Sequence, residues 1–284
     1  MSADRPGPST RARVWTLEGD IEVRRRDTLV TEEPLEIRVS AAGVSRAVST
    51  TMRTPGADFE LAAGFLHAEG LVEPGSLRQV SYCADVDKPD QLFNVVTVEI
   101  DAAEPPEPVR TGLVSSACGV CGSGSLDELR ARGLAPVAPG PTVRAETLYG
   151  LPDALRAAQG VFAATGGLHA AGLFTPSGEL LAVREDVGRH NAVDKLVGWA
   201  LLAGRLPLAG TVLLVSGRAG YEIVQKAVAA GIPVVASVSA PSSLAVAVAE
   251  DFGVTLVGFL RGRRCNVYAG RERLVLPGLA AAAG

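Results

Sequence analysis

From residue 168 to residue 260 short apolar runs alternate with amphipathic stretches, and no other feature of the chain restricts its possible folds so tightly. Residues 168–174 and 179–184 read as a hairpin about Pro176-Ser177-Gly178. A helix over 189–203 follows, then strand 211–215, helix 221–230, strand 234–238, helix 242–252 and strand 254–260. A helical crossover returns each strand parallel to the last, so this rhythm predicts an α/β fold with a parallel sheet covered by helices. Such sheets bind ligands beyond the carboxyl ends of their strands. Three loops fall there: Ser216-Gly217-Arg218, Ser239-Ala240-Pro241-Ser242-Ser243 and Arg261-Gly262-Arg263-Arg264. The first two open helices and are small and hydroxylic, a composition that lets backbone N–H groups approach a phosphate. The third gathers three guanidiniums, whose forked donors suit phosphate. A solvated turn would carry the same charges. Alignment with two other strand ends is what makes these arginines candidates for an anion site.

Upstream the pattern differs. Residues 13–17, 21–25, 35–39 and 44–52 are β-like and read as hairpins. Thr54-Pro55-Gly56-Ala57-Asp58 leads into a helix with Phe59, Ala62, Ala63 and Leu66 on one face and Gly70 at its close. Strands are predicted over 77–83 and 92–100. Pro-rich spacers occupy 102–108 and 134–141, and a helix over 152–165 opens on Pro152, as first-turn prolines do. The expected organisation is a smaller β-rich part with one helix over 1–110, a loop and linker over 111–141, and an α/β ligand-binding part over 142–284.

The loop between the spacers reads Ser115-Ser116-Ala117-Cys118-Gly119-Val120-Cys121-Gly122-Ser123-Gly124-Ser125. Two thiols share a backbone nearly free of bulk, and Gly119, Gly122 and Gly124 predict a loop able to move. A thioredoxin-type pair sits at a helix N-terminus, where the dipole lowers the thiol pKa. Here the capping box Ser125-Leu126-Asp127-Glu128 starts its helix several residues later, with an end near Gly133. The loop offers the thiols access rather than a dipole.

With 284 residues, 47% of them hydrophobic, the chain can bury a large core. A net charge of −4 argues against general nucleic-acid affinity. The uncharged run 227–249 raises the question of a membrane span, but Gly231, Pro233, Pro241 and the serines among them break it. The N-terminus lacks the apolar run of a secretory signal, so a cytoplasmic location is expected. Four cysteines, two of them closely spaced, then read as metal or sulfur chemistry rather than a disulfide framework.

Several long motifs, in order, resemble the formate dehydrogenase accessory sulfurtransferases, the FdhD family. They are TPGADFELAAGFLHAEG (54–70), SSACGVCGSGS (115–125), TGGLHAA (165–171), REDVGRHNAVDKL (184–196), VSGRAGYEIVQKAVAAG (215–231), VSAPSSL (238–244) and FLRGRRCNVY (259–268). The resemblance implies a carrier that takes sulfane sulfur from a cysteine desulfurase as a persulfide. It then passes the sulfur to the molybdenum of bis(molybdopterin guanine dinucleotide) before that cofactor enters formate dehydrogenase. It also implies Cys118 as the persulfide carrier, a cytidine-deaminase-like fold, a homodimer, and a cofactor site at Phe259, Leu260, Arg261, Gly262, Arg263 and Arg264. That segment coincides with the anion site read from the strand ends, and Ser216, Gly217, Arg218, Ser239 and His190 complete the expected cleft. The molybdenum cofactor is cargo, and no metal of the protein's own is expected. Cys121 has an auxiliary role, protecting the persulfide or resolving it as a disulfide. Cys265 departs from the family pattern, which carries an aromatic residue there.

Other residues keep two readings. Cys83 and Cys265 read as small hydrophobes, and His67 as a cap or surface residue. His169 and His190 are either carbonyl-bonded or catalytic. Glu185 and Asp186 precede a helix as caps would, while Asn191 and Asp194 line the cleft or face solvent. Two rival functions stand beside the carrier. A zinc deaminase-like hydrolase would need an H-x-E motif and P-C-x-x-C, but Ala117 precedes Cys118. A chaperone that only holds the cofactor would dispense with the thiol.

Overall fold

The computed structural model describes residues 5–83, 93–107, 113–114, 129–130 and 132–276. Strand β1 (Ser9–Glu18) pairs with β2 (Ile21–Val30) in an antiparallel ribbon running from Ser9↔Val30 to Glu18↔Ile21. This ribbon is a separate two-stranded sheet. Strands β3 (Glu33–Ala41) and β4 (Val44–Arg53) form the second expected hairpin. With β5 (Leu77–Tyr82), β6 (Val95–Ile100) and β7 (Leu113–Val114) they build a five-stranded sheet of order β5-β6-β3-β4-β7. Alternation along β3 puts Leu35, Ile37 and Val39 on one face, where they pack with Leu61, Ala62 and Leu66 of helix α1 (Asp58–Ala68).

The C-terminal half is a helix-sheet-helix sandwich. Short β8 (Val143–Arg144) leads into α2 (Ala145–Ala158) and α3 (Gly160–Thr165). Then come β9 (His169–Phe174), β10 (Leu180–Asp186), α4 (Arg189–Leu202), β11 (Val212–Val215), α5 (Tyr221–Ala229), β12 (Val234–Ser237), α6 (Ser243–Asp251), β13 (Thr255–Arg261) and β14 (Arg264–Ala269). A final β15 (Leu274–Val275) pairs with β8. The sheet order is β10-β9-β11-β12-β13-β14. One apolar cluster joins α4, α5 and α6 to one sheet face, and another joins α2 to the opposite face.

Three expectations are corrected. The sheet is mixed: β11, β12 and β13 are parallel, but β9 runs antiparallel to β10 and to β11. The arginine loop after β13 leads to a sixth strand, β14, through a tight antiparallel turn that pairs Arg261 with Arg264. Pro152 lies inside α2, which begins at Ala145 and gives way to α3 at Gln159. The capping box at Ser125–Glu128 lies outside the described residues.

Two features join the halves. Helix α1 crosses α4 at a pair of glycines. A Cβ on Gly64 would lie within van der Waals overlap of the Asp194 carbonyl, and one on Gly198 would overlap the Glu60 carbonyl. Beside this crossing Asp186, fully buried, accepts from the Thr54 and Gly188 amides, from Asn191 Nδ2 at 3.0 Å and from Lys195 Nζ at 2.7 Å. Lys195 also donates to the Thr54 carbonyl, and Asn191 Nδ2 to that of Met52. Among the described residues no helix is long and apolar enough to cross a membrane.

Candidate functional site

Because β9 is antiparallel to both neighbours, β10, β11, β12 and β13 all end at one rim of the sheet, and β9 begins there with His169. The helices that follow three of these ends start at the same rim: α4 at Arg189, α5 at Tyr221 and α6 at Ser243. Their N-terminal N–H groups give that edge a positive potential. Ser242 caps α6, its Oγ accepting from the Ala245 amide at 3.2 Å. Gly217 is buried where the β11 loop passes His169, whose Nδ1 would lie 3.2 Å from a Cβ at that position. A larger residue would press the loop off the imidazole.

The Ser216–Arg218 loop separates two cavities. On the α4–α6 side, a cavity of about 590 Å³ is lined by Arg189, His190, Arg218, Glu222 and the Pro241–Leu244 turn. His190 Nδ1 stands 3.1 Å from Glu222 Oε2. Arg189 is held below its ordinary pKa by burial and then by the nearby Arg218 charge, with Glu222 opposing. Two guanidiniums gathered so closely favour an anion between them. On the α2–α3 side, a cavity of about 550 Å³ is lined by apolar groups together with Arg156, Gln159, His169 and Ser216. Burial, then the Arg189 charge, holds His169 below its ordinary pKa, with Asp186 opposing and Arg218 adding a smaller push. Its ring is therefore neutral near pH 7.

The expected cleft residues are thus divided. Arg218 and His190 face the first cavity and Ser216 the second, while Gly217 forms the divide. Ser216 Oγ also accepts from the Ala170 amide. Ser239 offers its carbonyl to the Phe259 amide. Phe259 has φ 51° and is 39% exposed, a strained conformation for a bulky residue that turns the ring outward. Leu260 points the other way and is fully buried in the core under α2, so its side chain packs rather than binds. Gly262, φ 53°, makes the two-residue turn that leaves Arg261, Arg263 and Arg264 exposed. Arg261 Nε donates to the Val238 carbonyl at 3.0 Å, and Arg263 lies 5.6 Å from the Tyr149 ring of α2. Cys118 and Cys121 lie outside the described residues.

The remaining sequence candidates are structural. Glu185 caps α3, not the helix it precedes, accepting from the Val161 and Phe162 amides. Asp194 is buried against Lys226 at 2.6 Å, and burial raises its pKa to about 6 although Lys226 opposes the shift. His67 Nε2 is 3.0 Å from the Ala229 carbonyl. Sequence reasoning passed over Arg189, Glu222 and Gln159. The first two stand at helix starts beside residues that were chosen, and Gln159 hides at a helix break.

These features define a mixed α/β protein whose strand-end rim carries two cavities and a cluster of arginines. The FdhD/NarQ family model matches residues 30–275, and the chain belongs to that family. A "Sulfur carrier protein FdhD" from Nocardia farcinica is 53% identical over 273 residues, covering 94% of this chain and 95% of the relative. One from Streptomyces coelicolor is 56% identical over 260 residues, covering 89% and 90%. A crystal structure described as a formate dehydrogenase accessory protein from Desulfotalea psychrophila superposes with TM-score 0.73 at 25% identity, covering 94% of this chain and 99% of that one.

Proposed function

We propose that this chain is a sulfur carrier serving formate dehydrogenase, with Cys118 holding the sulfur as a persulfide. Family membership across residues 30–275 is the observation that carries the reading. A Cys118 thiolate attacks the sulfane sulfur of a desulfurase persulfide, a new S–S bond forms, and the donor cysteine leaves as thiolate. One S–S bond replaces another, so no outside oxidant is needed. Cys121 protects or resolves the product.

The acceptor in this reading is bis(molybdopterin guanine dinucleotide), a large polyanionic substrate. Arg189 and Arg218 with the helix starts support phosphate binding at the rim, and the Arg261–Arg264 turn adds further guanidiniums beside it. His190, held by Glu222, supplies an oriented ring nitrogen. The reading includes cytoplasmic location, a homodimer and a cytidine-deaminase-like fold, the last supported by the helix-covered mixed sheet with its site at one rim. The test is complementation of a strain lacking its own carrier. Cys118→Ala is expected to abolish formate dehydrogenase activity while the purified variant still binds guanine nucleotide. Full activity with Cys118→Ala would favour a chaperone that only holds the cofactor.

A further inference from the structure

The ribbon of β1 and β2 belongs to neither larger sheet, and a two-stranded hairpin alone is marginal in water. Its register sorts the side chains onto two faces, since directly opposite residues share a face. On one face Arg11 stands opposite Thr28, Arg13 opposite Arg26, Trp15 opposite Arg24 and Leu17 opposite Glu22. Four guanidiniums thus share a face with an indole that is 61% exposed. Arg13 against Arg26 is a repulsive cross-strand pair. Among the described residues none of the four forms an ion pair, whereas Arg25 on the other face meets Glu18 at 3.0 Å. That other face carries Ala12, Val14, Ile21, Val23 and Leu29, of which Ile21 is 64% exposed. Arginines also guard open strand edges against chance pairing. A guard needs neither like charges set opposite one another nor an exposed indole between them.

The two edges of the ribbon differ. Strand β2 lies against α3, where Val30 packs at Gly167, while β1 has β2 as its one strand partner among the described residues. We propose that the outer edge of β1 takes an extended segment of a partner protein as a third strand, a segment whose residues alternate acidic and apolar. A strand added there continues both faces: its carboxylates lie beside Arg11 and Arg13, and its apolar side chains lie beside Ala12 and Val14. Main-chain hydrogen bonds to β1 supply affinity, and the arginine row selects the sequence. A second copy of β1 fits less well, because antiparallel edge-to-edge pairing brings the same arginines onto the same face. A nucleic acid offers nothing apolar to the other face, and the chain's net charge of −4 opposes its approach.

The test uses the full chain carrying Trp199→Phe, which leaves Trp15 as its one tryptophan. The probe is a ten-residue peptide of alternating glutamate and valine, matching the length of β1. Saturable binding that shifts Trp15 emission and weakens as salt rises is expected. Arg11→Glu with Arg13→Glu should weaken it about tenfold or more, and Arg11→Gln with Arg13→Gln should fall between, while the melting temperature stays at the parent value. A peptide of the same composition with its glutamates and valines in separate blocks should bind about tenfold more weakly, as should one N-methylated at alternate residues. No binding of the alternating peptide, equal binding of either control peptide, or no effect of the glutamate pair would overturn the inference. An equally tight complex with a short single strand of DNA would overturn it in favour of a nucleic acid. Sedimentation showing a dimer that the glutamate pair dissociates would overturn it in favour of a second copy.

Discussion

At the scale of single residues, the site depends on groups whose protonation and pairing are set by burial. His169 is the clearest case, since its imidazole sits below its ordinary value of 6.5, mainly through burial and then through Arg189. A depressed histidine gives stability that is present above pH 6.5 and lost as pH falls through the folded value, because the unfolded chain takes up the proton first. Thermal unfolding should therefore show the parent losing more stability between pH 7 and pH 5 than His169→Gln, and parallel curves would contradict this. Asp186 is a fully buried carboxylate paired with Lys195 Nζ at 2.7 Å and accepting from two backbone amides. Removing one member of such a pair strands the other charge. Lys195→Met should cost about 3–5 kcal/mol in urea unfolding, and the double variant Lys195→Met with Asp186→Asn should recover part of that loss.

At the scale of elements, the α1–α4 crossing fixes the N-terminal sheet against the rim. Gly64 and Gly198 allow the two backbones to touch, and neither position has room for a methyl group. Gly198→Ala should destabilise by about 3 kcal/mol, the upper end of overpacking costs, with a lower melting temperature as the readout. The apolar rhythm made most of these elements legible, because period 2 survives in β3, period 3.6 survives in α1 and α5, and β11 stands out as a short apolar run. Strand direction was not legible. The run at 169–174 is buried nearly throughout, and a continuous apolar run reads the same parallel or antiparallel. The strand β14 was missed for a different reason: Cys265, Val267 and Ala269 do alternate with Arg264, Asn266 and Tyr268, but the arginines that precede them read as a charged loop. Among the expected site residues, Ser216, Arg218 and the Arg261–Arg264 turn follow from strand ends, which any crossover sheet reveals, while Phe259 and Leu260 came only from the family resemblance. Gln159 follows from neither, because its place at the cavity wall exists only once two helices meet around it.

At the scale of the molecule, two sheets share one polar and glycine-lined junction, and the ribbon β1–β2 stands outside both. The family match begins at residue 30, where that ribbon ends. Deleting residues 5–29 should therefore leave the cooperative melting transition in place, and loss of that transition would show that the ribbon belongs to the folding unit. The proposed function rests on Cys118 as the sulfur carrier and on the arginine-bearing rim as the binding surface for its acceptor. Intact-mass analysis after incubation with a cysteine desulfurase and cysteine tests this most directly. The expected result is a gain of one sulfur atom that maps to Cys118, and an unmodified Cys118 with the added sulfur on Cys121 or on no cysteine would contradict it.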